Sequence, residues 1–393
     1  MRRFFSKYFV FFLIIFLLYL LERGEMAVRF GVYESSFAYQ NIFVVAMIIL
    51  STYYVLVNNR SFYYTRFFKR FSATLILIYF LTVIWSLADP LHSRNVYGFL
   101  ILPLFLYAFI FVYTIKTENT NVILYSFYSV GLLLAAYFFM NYNNNVFYDI
   151  EQQTNTSYAV LYFLPMMLCA PKKWLRYAAI VLTIFTVMFS LKRGGFVAIL
   201  MAAAAFFYIS EVKLGGRRLR IWGWLLFVVI GIVGYWAVTR INDIMLDNLM
   251  FNRMSYIEET EGSGRGKIWR NVIEMIGSQG AGGLLVGHGW RATADNTISH
   301  LTAHNDFLEI LYDFGIVAFV LYLLMISEMI RLTRFLIKNK SEYAPAMGAM
   351  LVIFFVNSMV SHIMIYCQYL LIFSLSWGFF SAAIQRDYLT KKM

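Results

Sequence analysis

The chain has 393 residues, 61% of them hydrophobic and 14% charged, with 33 Lys and Arg against 21 Asp and Glu for a formal net charge of +12. Soluble domains carry roughly 25% charged residues, so this composition excludes a water-solvated fold and makes lipid the solvent. Nucleic acid is not an expected partner, because the basic residues fall between apolar runs instead of forming one patch or stripe.

Apolar runs of spanning length are read at 6–21, 38–57, 71–88, 97–115, 122–140, 156–170, 175–191, 194–210, 221–238, 309–330, 345–362 and 364–384. The predicted fold class is all-α: a polytopic membrane protein of about twelve transmembrane helices, with one large extracytoplasmic loop between helices 9 and 10. The corresponding domains are 1–238 (helices 1–9), 239–308 (the loop, with amphipathic helices) and 309–393 (helices 10–12 and a cytoplasmic tail). The basic start and apolar run up to Leu21 resemble a signal peptide, but no small-x-small site follows, so the segment reads as an uncleaved first helix. Cys169 and Cys367 each sit in an apolar stretch without a metal-ligand partner nearby and read as small core residues.

With the N-terminus in the cytoplasm, two thirds of the Lys and Arg fall on the inner side and every short inner loop carries at least one, Lys116, Arg176, Arg331 and Arg386 among them. Both termini are therefore expected in the cytoplasm of a bacterial inner membrane. The same placement puts His92, His288, His300, His304 and His362 on the outer face, a pointer to proton chemistry there.

Three features of the outer face suit chemistry. Lys192-Arg193-Gly194-Gly195 is a tight turn with two cations on the side where positive charge is disfavoured. Gly262-Ser263-Gly264-Arg265-Gly266-Lys267 is a glycine-rich turn that brings Arg265 to a helix start, where free N–H groups favour an anion; its spacing is not that of a nucleotide-binding P-loop. The helix beginning there would place Ile268, Trp269, Val272, Ile273 and Ile276 on one face. Further on, Asp306 as N-cap with Glu309 three residues later reads as a capping box, with His304 just before the helix. The helix dipole there disfavours imidazolium, which leaves His304 neutral and able to take a proton. Each feature also has a structural reading: a solvated turn, snorkelling cations, or a histidine bonded to a loop carbonyl.

Taken in order, the basic-Gly turn at 191–195, the Gly-Arg-x-x-Ile-Trp helix start at 264–269, Gly287-His288-Gly289, and His304-Asn305 ahead of Gly315 resemble the O-antigen ligase and polymerase family. The resemblance covers roughly residues 180 to 320. Ligases of this family carry His, then Asn, Ser or Gln, then nine residues, then Gly-x-x-Gly; His304, Asn305 and Gly315 match, and Ala318 stands in place of the second glycine. The resemblance implies a metal-independent, inverting GT-C glycosyltransferase without a cofactor, whose donor is an undecaprenyl-diphosphate-linked glycan. The acceptor would be a sugar hydroxyl on a lipid-linked repeat (polymerase) or on lipid A-core (ligase). Membrane lipids surround it, and a chain-length regulator is a further candidate partner. In that reading Arg193 and Arg265 hold the diphosphate, with Arg291 and Lys192 as further candidates. His304 is the catalytic base, and Asn305, Asp306 and Gly315 support it. Two other classes stay open: a polysaccharide or lipid transporter or flippase, and a peptidoglycan polymerase of the shape-and-division type, in which Asp306 or Glu309 would carry the chemistry.

Overall fold

The computed structural model describes residues 8–20, 36–58, 65–88, 97–117, 119–145, 150–190, 192–215, 265–298 and 300–390. The expected span 221–238, His92 and the turn residues 262–264 lie outside them. Among the described residues there are helices and connections and no strand: α1 (Tyr8–Leu20), α2 (Ser36–Val57), α3 (Arg66–Ala88), α4 (Tyr97–Lys116), α5 (Thr120–Asn145), α6 (Ile150–Met167), α7 (Lys173–Phe189), α8 (Arg193–Phe207), α9 (Arg265–Ser278), α10 (Ala281–Val286), α11 (Ala292–Asn296), α12 (Asp306–Lys338), α13 (Ala344–Val360) and α14 (Cys367–Thr390). Every expected span other than 221–238 falls on one of these helices.

Among the described residues four helical stretches are long and apolar enough to cross a membrane: Arg66–Trp85, Thr120–Met140, Gly194–Leu214 and Asp306–Lys338. α1, α13 and parts of α2, α4 and α6 are shorter apolar helices. Along α2, Ile42, Val45, Ile49 and Leu56 recur at helical spacing and are all exposed, as are Val317, Val320 and Leu323 on α12. In water such stripes would be an aggregation hazard; against acyl chains they cost nothing. Several buried hydroxyls are satisfied within their own helices, Thr82 and Ser374 each donating to the carbonyl four residues back at 2.7 Å.

The packing order places the site. α14 lies along α4, α13 along α8, α12 against both α3 and α13, and α6 between α5 and α7. Trp377 of α14 is fully buried among Phe67 and Phe71 of α3, Phe354 of α13 and Phe373, with ring centroids 5.1–5.6 Å apart. Arg386 donates to the Thr117 carbonyl at 3.2 Å, and Arg176 lies 4.0 Å from Glu342, so connections assigned to one side of the membrane share one end of the bundle. Beyond Gly315, α12 runs on to Lys338 at that end, about 35 Å at helical rise, which sets the segment around His304 towards the opposite end. Cys169 is buried beside the Pro165 carbonyl at 3.4 Å.

Gly378 is where α14 touches α4: a Cβ there would meet the Ile110 side chain and lie 2.6 Å from the Tyr107 carbonyl oxygen. Helices held together in lipid depend on such close backbone approach. Gly378→Ala is expected to force the two helices apart at a cost of about 1–3 kcal/mol, read as a lower melting temperature of the detergent-solubilised protein.

Candidate active site

The N-cap of α12 is Asn305, whose Oδ1 accepts from the N–H groups of Phe307 at 3.0 Å and Leu308 at 3.3 Å. This corrects the expected capping box by one residue. Asp306 is the first helical residue, and its fully buried carboxylate accepts instead from the N–H groups of Ile363 (3.0 Å) and Met364 (3.3 Å). A buried charge goes where it finds donors, and the loop between α13 and α14 offers two at once. Glu309, also buried, reaches back with Oε1 to the N–H of His304 at 3.1 Å. His304 has φ +50, a left-handed backbone that side-chain-bearing residues seldom adopt. On its other side Trp269 Nε1 of α9 donates to the Ala303 carbonyl at 2.7 Å.

That indole also explains the seat of α9. Val272 is fully buried, and Ile268, Trp269, Met275 and Ile276 pack with it against Ala292, Ala303 and Tyr312. Ile273, expected on the same face, is exposed, and Met275 takes its place in the packing. The face is rotated because it must cover the segment before α12 as well as α11.

The structure brings Lys192, Arg265 and His304 into one neighbourhood. Arg265, the first residue of α9, donates from Nη1 to the Val360 carbonyl at the C-terminus of α13 at 2.6 Å. Among the described residues no carboxylate pairs with it, and its guanidinium is half-buried beside Tyr158. Lys192 caps the start of α8 and holds its ammonium 5.8 Å from the centre of the Tyr158 ring. Arg193 opens α8; its side chain lies outside what the structure describes. The turn is tight because α8 presses on its neighbours: a Cβ on Gly194 would stand 2.9 Å from Val360, and one on Gly195 3.1 Å from Val187.

Arg291 stands elsewhere. It has φ +64, its side chain is exposed, and its N–H donates at 3.1 Å to Asp313 of α12. Asp313 is buried and also accepts from the N–H (2.8 Å) and hydroxyl (2.7 Å) of Thr293. Its carbonyl takes the N–H groups of His288 at 3.0 Å and Gly289 at 2.8 Å. That carbonyl is free because Gly315, at φ +74 and ψ −179, interrupts the helix. Gly287, also at φ +74, lies against the backbone of Asp313 and Phe314, while Gly315 lies against that of Leu285 and Val286. The Gly-x-Gly and Gly315 are thus two halves of one close contact, in which neither position has room for a Cβ. Ala318, where the ligase pattern has its second glycine, is fully buried.

Sequence reasoning treated His362 only as one of five outer histidines. The structure puts its ring 4.5 Å from that of His304 and its Nδ1 3.2 Å from Glu309 Oε2. Nothing local signals this, since the two histidines come from different loops and meet only when α12 and α13 pack.

Residues 178–323 match a family model described as O-antigen ligase. The match covers less than half of the chain, so the likeness is that of this segment to the family. No curated protein matches the chain. The matched segment takes in Lys192, Arg193, Arg265, Arg291, His304, Asn305, Asp306 and Gly315, whereas Tyr158, Val360 and His362 lie beyond its limits.

Within the matched segment, burial lowers the His304 pKa to about 3, helped by His362, Arg265 and Lys192. Burial also lowers Arg265 from its ordinary value, with Tyr158 acting the other way. The group of charges therefore holds a neutral imidazole beside two cations, an arrangement that can accept a proton and bind an anion together. A pH signature follows. The unfolded chain protonates His304 at its ordinary 6.5, the folded one only near 3, so between these values the unfolded state binds more protons and stability falls as pH drops through the window. Melting temperatures measured from pH 7 to 4 are expected to fall more steeply for the wild type than for His304→Gln.

Proposed function

We propose that the protein is a membrane glycosyltransferase of bacterial surface-polysaccharide assembly, which moves a glycan from undecaprenyl diphosphate to a sugar hydroxyl on the outer face of the inner membrane. The matched family is generally of glycosyltransferase type, and the protein's long apolar helices fit a membrane-embedded enzyme. The observation that carries the reading is the pairing of a neutral His304 with two cations, Arg265 and Lys192, one of them without a carboxylate partner among the described residues. The proposed layout keeps 1–238 and 309–393 as membrane helices, 239–308 as the outer loop, and both termini in the cytoplasm.

In this mechanism the donor diphosphate rests on Arg265, Arg193 and Lys192. Guanidinium forks match phosphate oxygens and stabilise the charge that grows as the glycosyl bond breaks. His304 takes the proton from the acceptor hydroxyl while its oxygen attacks the anomeric carbon, which inverts the configuration there. An imidazole at about 3 is a weak base in the empty site. Burial depresses it most, with His362 and the two cations adding; the incoming diphosphate offsets the cations' share, which strengthens the base as the donor binds. Arg291, held by Asp313 and exposed, has a weaker claim on the diphosphate. The buried Asp306 carboxylate, already committed to Ile363 and Met364, favours histidine over aspartate as the base.

Ligase and polymerase share this chemistry and differ in acceptor. Purified protein given lipid-linked repeats alone is expected to form ladders if it polymerises, and to form product only with added lipid A-core if it ligates. His304→Ala is expected to lower kcat about 10²–10⁴-fold and Arg265→Ala about 10²–10³-fold; full activity in His304→Ala would remove the base from the scheme. The acid limb of kcat/KM, which reports the empty enzyme, is expected well below pH 6.5, and that of kcat at a higher pH because the bound donor raises His304.

A further inference from the structure

His304 is held by residues that take no step in the mechanism above. Glu309 bridges the two histidines: Oε1 accepts the His304 N–H at 3.1 Å, and Oε2 lies 3.2 Å from Nδ1 of His362, at ion-pair distance and off the hydrogen-bond direction. The other imidazole nitrogen of His362, Nε2, is 3.0 Å from the Thr302 hydroxyl. A carboxylate beside Nδ1 favours the proton there, which leaves Nε2 to accept from Thr302. Both Glu309 and His362 are nearly fully buried. The His362 ring lies against that of His304, with centroids 4.5 Å apart and planes tilted by 35°, and its other neighbour is the Tyr366 ring at 5.3 Å.

The geometry points to Glu309, His362 and Thr302 as a buried positioning device that sets the direction of the His304 imidazole. A left-handed backbone at a histidine persists only where its surroundings over-determine it. Here the Glu309 bond to its N–H and the Trp269 bond to the preceding carbonyl do so from both sides. The backbone sets the direction of the side chain, and the His362 ring closes one face of it. His362 itself is fixed from three directions: by Glu309, by Thr302, and by the loop that Asp306 grips at Ile363 and Met364. His362 lies outside the matched segment, so part of the machinery that aims the base comes from the C-terminal helices.

This inference rests on the reading of His304 as the base, and the test separates the two. Glu309→Ala and His362→Ala, assayed on lipid-linked glycan in liposomes, are expected to lower kcat about 100-fold, as misplacement of a reacting group by about 1 Å does, with KM changed less than about threefold. Glu309→Gln keeps an oxygen for the His304 N–H and is expected to recover most of the loss. In a His304→Ala background, Glu309→Ala is expected to lower kcat no further, because residues that act as a unit are not additive. Thr302→Val, which removes only the hydroxyl bond, is expected to lower kcat about threefold to tenfold and carries the test if the alanine variants fail to fold. The device is overturned by unchanged kcat in Glu309→Ala and His362→Ala, by unchanged kcat in Thr302→Val where those do not fold, or by an equal further loss in the His304→Ala background. If His304→Ala itself keeps full activity, the base assignment is what fails.

Discussion

Two carboxylates buried in one helical turn have to find hydrogen-bond donors, and the way Asp306 and Glu309 do so organises this end of the molecule. Asp306 takes two N–H groups from the loop between α13 and α14, and Glu309 takes the N–H of His304. Unpaired, each charge would cost several kcal/mol in such surroundings. Three stretches of chain are thereby pinned together: the segment before α12, the first turn of α12, and the loop that carries His362. Everything else at the site leans on that knot. α9 packs over it through Trp269, and Arg265 crosses from α9 to the exposed carbonyl end of α13.

The rest of the bundle obeys a different constraint. In lipid the outward faces can be wholly apolar, so polar groups collect where helices meet or end. Hydroxyls such as those of Thr82 and Ser374 turn back onto their own helices, large aromatics fill the gaps between α3, α4, α13 and α14, and glycines such as Gly378 let the backbones touch. Among the described residues most charge gathers towards the ends, the buried Glu328 of α12 being paired with Arg331 at 2.7 Å. One end gathers Arg176, Glu342 and Arg386; the other holds Lys192, Arg265 and the two histidines.

Much of this is legible in the sequence because lipid imposes a simple rule on length and polarity. The apolar runs find the helices, and the ordered motifs find the matched segment, with Lys192, Arg265 and His304 drawn together. What escapes is whatever depends on contacts distant in the chain. Asp306 looked like a cap because Asp commonly is one, but Asn305 serves as well, and the pull of the Ile363 and Met364 N–H groups decides between them. Ile273 fits the amphipathic period, yet the shape of the surface beneath α9 prefers Met275. Gly315 matched a motif without a stated reason; the reason is Leu285 and Val286, reached only through a second glycine at 287. His362 carried no local signal at all.

The interruption at Gly315 divides α12 into a short stub that bears Asp306, Glu309 and Asp313 and a long rod that runs to Lys338. A continuous helix transmits tilt as a lever does, through its ladder of hydrogen bonds. Here the ladder stops at one residue of positive φ, and the stub is bolted instead to the loop around Gly287 and Thr293. A bilayer that thins or thickens can lean the rod to match its hydrophobic length while the stub keeps its aim, so the polar end is sprung against changes in the membrane that surrounds it.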